Sequence, residues 1–188
     1  MTEPRFDPSS ALRLDFDQGQ VTLRGQGPCL VVPKGALLDL LSNAGDDATR
    51  NFGQQLGVEV GRRVVDNFGS TIDTASIEGF VEHLGGELAL LGLGTLSVER
   101  WGRALVLVLN GAPAGETGVS LVSAVIGGAL QRALSRDTMV VELMKSDSTL
   151  RLLLVSRATG AEVKQWLAEQ VPWGTVLTRL HAPQGNAS

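Results

Sequence analysis

Cysteine is nearly absent from this 188-residue chain: Cys29 stands alone, so no internal disulfide can form and no multi-cysteine metal site can be assembled within one copy. Histidine is almost as scarce. His83 falls within a helical pattern and His181 in the C-terminal segment, and neither has an acid or a nucleophile at motif spacing. Clusters of lysine and arginine are missing too. With 16 basic against 20 acidic residues, a formal net charge of −4 and a pI near 5.2, the chain has no basic field to draw nucleic acid. The most apolar run, Val119 to Leu130, spans 12 residues, short of the roughly twenty that cross a bilayer. The opening MTEPRFDPSS offers acidic residues and prolines where a secretory leader needs a basic start and an apolar run. The expectation is a soluble, cytoplasmic protein with no nucleic-acid partner and no membrane span.

The usual catalytic signatures are also lacking. There is no G-x-S-x-G elbow, no G-x-x-x-x-G-K-[ST] phosphate loop and no H-E-x-x-H metal pair. Gly92 to Ser97, GLGTLS, lacks the third glycine of a dinucleotide loop and precedes a strand instead of joining a strand to a helix. Neither a cofactor nor a metal is expected, and the chain reads as a non-enzyme. Single residues have plain readings as well: His83 as a solvent-facing or helix-packing side chain, Cys29 as a small packed residue, and Glu142, set in the apolar run TMVVELM, as an outward-facing strand position. Trp166 and Trp173 are read as closing the core beside an amphipathic last helix.

What is present is a well-patterned core. Hydrophobic residues make up 43% and charged residues 19%, which fits one globular domain over residues 11–180 between a flexible tail, 1–10, and a disordered end, 181–188. Leu12, Leu14 and Phe16 alternate with polar residues, as do Val21 and Leu23, giving short N-terminal strands broken at Gly19 and again between Gly25 and Pro28. A helix begins at Pro33, and a longer one, capped by Asp46 or Asp47, runs to about Phe68. A third covers about Ala75 to Leu91. A hairpin turns at Trp101 and Gly102, its second strand apolar enough to be central, and a fourth helix spans about Val119 to Leu134. A second hairpin turns at Ser146 to Ser148, and a last helix, about Ala161 to Val171, ends at Pro172. Strands joined by hairpins and separated by helices predict an α+β fold: an antiparallel sheet with a packed helical layer and the N-terminal strands added.

Within the second helix, Gly53, Gly57 and Gly61 stand at four-residue spacing. Each costs roughly 1 kcal/mol of helix propensity relative to alanine. Such a row predicts a groove into which another helix comes unusually close, with the face of Gly127 and Gly128 as its natural partner, within the chain or across a dimer.

The segment LVSAVIGGALQRALSRDTMVVELMKSDSTLRLLLVS, Leu121 to Ser156, together with FGQQLGVEVGRRVV, Phe52 to Val65, resembles the four-vinyl-reductase domain and, more broadly, the fold of the small TRAPP-complex trafficking subunits. The resemblance covers about Pro33 to Ser156. It implies a mixed domain, usually dimeric through its helices, with an internal apolar cavity; members of the group include sensors of small aromatic or lipid-like molecules and scaffolding subunits without catalysis. Members with metal or thiol chemistry carry cysteines around the last hairpin, where this chain has Met144, Lys145 and Leu152. Cys29 lies outside the matching region and is assigned no lipid-attachment role.

Two functions follow as expectations. The first is a regulatory or scaffolding module that homodimerises and binds a further protein. The alternative is a sensor holding an apolar small molecule or lipid in a cavity lined by Leu37, Leu41, Phe52, Leu56, Val122 and Ile126, residues that could equally fill the core. An enzyme, using Glu142, Arg132 or Arg136, ranks third.

Overall fold

The computed structural model of the chain describes residues 6–23, 27–69, 76–102, 104–134, 138–146 and 148–181. A short 3₁₀ turn, Pro8–Ser10, leads into a three-stranded antiparallel sheet of β1 (Leu12–Asp15), β2 (Gln20–Leu23) and β3 (Gly27–Cys29). Helices α1 (Lys34–Ala44), α2 (Asp46–Phe68) and α3 (Ile77–Leu90) follow, then β4 (Thr95–Trp101), β5 (Ala104–Asn110), α4 (Gly115–Leu134), β6 (Thr138–Lys145), β7 (Thr149–Ser156), α5 (Arg157–Ala168) and α6 (Trp173–His181). The second sheet is antiparallel in the order β4-β5-β7-β6. The fold is α+β.

The inner strand β5 is apolar on both faces, and β7 is so apart from Arg151, which pairs with Glu99 of β4, because both faces are covered. Leu107 and Leu109 of β5, with Leu150 and Leu152 of β7, pack beneath α2, α3 and α4 alongside Val60, Val64, Leu84, Leu88, Val122, Val125 and Ile126. Ala104, Val106, Val108 and Leu153 point the other way, toward Val163 of α5 and Val176 and Leu177 of α6. The single helical layer expected from the sequence is thus one of two. Pro172, read as ending the last helix, instead precedes α6: its carbonyl accepts hydrogen bonds from the Thr175 and Val176 amides, a use of proline at the start of a helix. The preceding helix begins earlier than expected, at Arg157, where the Ser156 hydroxyl accepts from the Thr159 amide.

Helix α2 is capped differently from expectation. Gly45, at φ 91°, is its N-cap, and Asp46 and Asp47 lie in the first turn, where the helix dipole favours negative charge. Both pair with Arg50. The glycine row of α2 lies against α4 of the same chain. A methyl group at Gly53 would stand 2.7 Å from the Ala124 Cβ, one at Gly61 would stand 2.6 Å from the Ala129 carbonyl oxygen, and one at Gly57 would collide with the Val125 carbonyl. Gly128 completes the seam from the other side, where an added Cβ would fall 3.2 Å from the Gly57 Cα. Gly127 does not belong to it and faces Val140 of β6.

Residues 1–5 and 182–188, within the two expected tails, lie outside the described residues. Within the first expected tail Phe6 is packed, lying against Gly86 and, at 6.0 Å between ring centroids, against His83, while Asp7, Pro8 and Ser9 are exposed. At the other end His181 closes α6, with its ring nitrogen Nδ1 2.5 Å from the Leu177 carbonyl oxygen.

Candidate functional site

Charged side chains are seldom buried unless paired, and α2 and α3 bury one such pair. The Arg63 Nε donates to the Glu87 carboxylate at 2.6 Å, with side-chain exposures of 4% and 5%. This contact satisfies one edge of the guanidinium only. Among the described residues neither Nη1 nor Nη2 of Arg63 has a hydrogen-bond partner, although an arginine presents five N–H donors in a fixed fork. A cavity of about 50 Å³ adjoins the pair, walled by Arg63, Asp66 and Asn67 from α2, Glu87 and Leu90 from α3, and Ala11 and Leu23 from the N-terminal segment.

One turn before Glu87 on the same helix, His83 is also buried, its ring 4.6 Å from that of Phe68. It is a helix-packing histidine set beside the ion pair. The result is a polar cluster inside an otherwise apolar helical layer, roofed by the small sheet. Chemically, the cluster can donate hydrogen bonds into the cavity from a cation whose charge Glu87 already balances.

Sequence reasoning missed Arg63 and Glu87, although both left a signal. Arg63 stands seven residues after Leu56 and three after Val60, and Glu87 stands seven after Phe80 and three after Leu84. Charges at those offsets lie on the apolar stripe of their own helix. The residues expected to line a ligand cavity lie elsewhere. Leu41, Val122 and Ile126 are buried in the helix-sheet core, Leu37 and Leu56 pack against it, and Phe52 is exposed. None of the six borders the cavity beside Arg63.

A second, open depression of about 930 Å³ runs between α4 and the edge strand β6, with residues such as Ser120, Ser123, Gly127, Met139 and Glu142 on its walls. Glu142 is exposed there. At one end the Ser120 hydroxyl donates to Asp46 at 2.8 Å. That bond and the neighbouring Arg50 hold the Asp46 carboxyl below its ordinary range. Arg136 is outside the described residues; Arg132 is exposed at the end of α4, and neither it nor Glu142 borders the Arg63 cavity.

Cys29 is half-buried in β3. Trp166 and Trp173 are half-buried over the second core, Trp173 edge-on to Trp101 at 5.6 Å and Trp166 beneath the Arg179 guanidinium. Among the described residues no three histidine, cysteine or acidic side chains are placed to hold a metal ion, and no helix is long and apolar enough to cross a membrane.

No family model and no curated protein sequence matches the chain. Among solved structures, it is similar to the phenol-responsive sensory domain of the transcription activator PoxR, in a crystal structure with phenol: the TM-score is 0.58 and the identity 14%, over 94% of each chain. At that identity the likeness is one of fold.

Proposed function

We propose that this domain is a non-catalytic sensory module that takes up a small molecule between α2, α3 and the N-terminal sheet. The observation that carries the reading is Arg63, a buried cation whose two terminal nitrogens are unpartnered among the described residues, beside a cavity. A buried donor left unpaired costs roughly 1–3 kcal/mol, more when charged, so an acceptor oxygen placed there recovers a sizeable free energy. Support also comes from the shared fold with a domain described as phenol-responsive and from the resemblance to the four-vinyl-reductase group.

Electrostatics narrow the ligand class. Glu87 already neutralises Arg63, and Asp66 also borders the cavity, so an anion would bring surplus negative charge into a low-dielectric site. A neutral molecule with a hydroxyl or carbonyl oxygen fits better. Its size is limited as well: about 50 Å³ holds roughly four water-sized groups, so an aromatic ring enters only as Ala11 and Leu23 give way. The expected apolar ligand becomes a small one with a polar end. Regulation by homodimerisation and through a protein partner remains part of this proposal, with the sensed molecule as its input.

Calorimetry and thermal melts with phenol, cyclohexanol and acetamide as neutral probes, and benzoate as the charged control, test the reading. The neutral probes are expected to bind and stabilise, benzoate to do neither, and the double variant Arg63→Met/Glu87→Leu to lose the response while staying folded. If no neutral probe binds, or if the double variant binds as well as the parent, the cavity is not the sensing site.

A further inference from the structure

The N-terminal sheet is apolar on one face, and only one end of that face is covered. Antiparallel register places Leu12 opposite Leu23 and Leu14 opposite Val21, and Val21 in turn opposite Cys29, so these side chains share a side. Leu23 and Ala11 are buried against the body. Leu14 is half-exposed, and Phe16, just past the end of β1, is 87% exposed. Because β3 runs in the same direction as β1, the residues following Cys29 emerge at the Phe16 end. They are Leu30, Val31 and Val32, with Leu30 90% exposed.

Leu12, Leu14, Phe16 and Leu30 to Val32 together expose on the order of 700 Å², close to the ~800 Å² that each partner contributes to a standard interface. Apolar patches of that size on soluble domains mark interaction surfaces. A three-stranded sheet of strands this short also needs its apolar face covered to be stable.

We infer that this overhanging face binds a second copy of the same chain. Two-fold symmetry requires one patch to complement itself, and the local charges satisfy that requirement. Asp15 and Asp17 flank Phe16, while Lys34 follows the Leu30 to Val32 segment. Laying Phe16 of one copy on Leu30 to Val32 of the other brings each acidic pair toward the opposite Lys34. The glycine faces, by contrast, are consumed within the chain by the seam between α2 and α4. The assignment does not depend on whether the cavity takes a ligand.

Sedimentation velocity over a micromolar concentration series tests it with the full chain, alongside Phe16→Asp, Val31→Asp and Lys34→Glu. These side chains are exposed, so circular dichroism and melting should match the parent. The parent is expected to sediment as a dimer, and each aspartate variant to weaken association by about 30-fold or more, as for an interface hot spot. Lys34→Glu should weaken it less and be rescued by Asp15→Lys/Asp17→Lys. A monomeric parent, which would leave the face to a foreign protein, overturns the inference, as does a dimer indifferent to both aspartate variants.

Discussion

The Gly57 backbone lies so close beneath the Val125 carbonyl that a single added methyl group would overlap it. Helices α2 and α4 are therefore held at a separation that glycine alone permits, and dispersion along the seam offsets the low helix propensity of the row. The obstacle is main chain, which cannot rotate away. Gly57→Ala is expected to cost about 3 kcal/mol, the upper range for overpacking, in urea unfolding. Gly127→Ala makes the contrast: among the described residues its methyl would meet the Val140 Cγ2 alone, at 3.5 Å, an ordinary contact. That variant should be neutral or up to about 1 kcal/mol more stable through helix propensity. Equal losses at both positions would rule out the seam as the cause.

Arg63 and Glu87 should show the asymmetry of buried ion pairs. Arg63→Met leaves the Glu87 carboxylate buried without its partner, and the expected loss is about 3–5 kcal/mol. Adding Glu87→Leu removes the stranded charge. The double variant should regain most of that loss, as seen by chemical denaturation, and additive losses would contradict the pairing.

Acid should act on the tie between α2 and α4 through Asp46. Its carboxyl is held below the ordinary value of 3.8, first by the Ser120 hydroxyl and then by Arg50. Because the folded-state pKa is depressed, the stabilisation is present above that ordinary value and is lost as the pH falls through the folded one. Ser120→Ala should move the Asp46 titration upward and flatten the acid limb of the stability curve. Carboxyl chemical shifts followed by NMR would detect the change, and an unmoved titration would exclude Ser120 as its cause.

Leu23 anchors the small sheet to the body. Leu23→Ala should cost about 2–3 kcal/mol locally and speed amide exchange across β1, β2 and β3, with little effect on β5 or β7. Uniform acceleration throughout the chain would instead make the sheet part of the cooperative core.

Much of the fold was legible because local signals and tertiary demands agree. The boundaries of α2 follow from the acidic pair at Asp46 and the glycine after Phe68, and both hairpins of the large sheet turn where Trp101–Gly102 and Ser146–Ser148 place them. Helix α6 escaped notice because proline can close one helix or open the next, and here it does the second.

The site was harder to read for a different reason. Arg62 and Arg63 are adjacent and chemically alike, yet successive helical residues point about 100° apart. Arg62 pairs with Glu59 and Asp66 on the solvent side, while Arg63 turns inward to a carboxylate 24 positions away. Nothing local to α2 names Glu87 as that partner. The packing of α2 on α3 decides it.

One face of the N-terminal sheet reaches from Leu23, at the Arg63 cavity, to Phe16, at the inferred interface. With a ligand bound as proposed and a dimer formed as inferred, reseating Leu23 would alter the surface offered at Phe16, and the coupling would be reciprocal: the factor by which a ligand alters self-association is the factor by which self-association alters ligand affinity. Protein concentration then acts as a second effector. On the proposed reading the domain would thus report two inputs, the abundance of a small molecule and its own, through a single three-stranded lever.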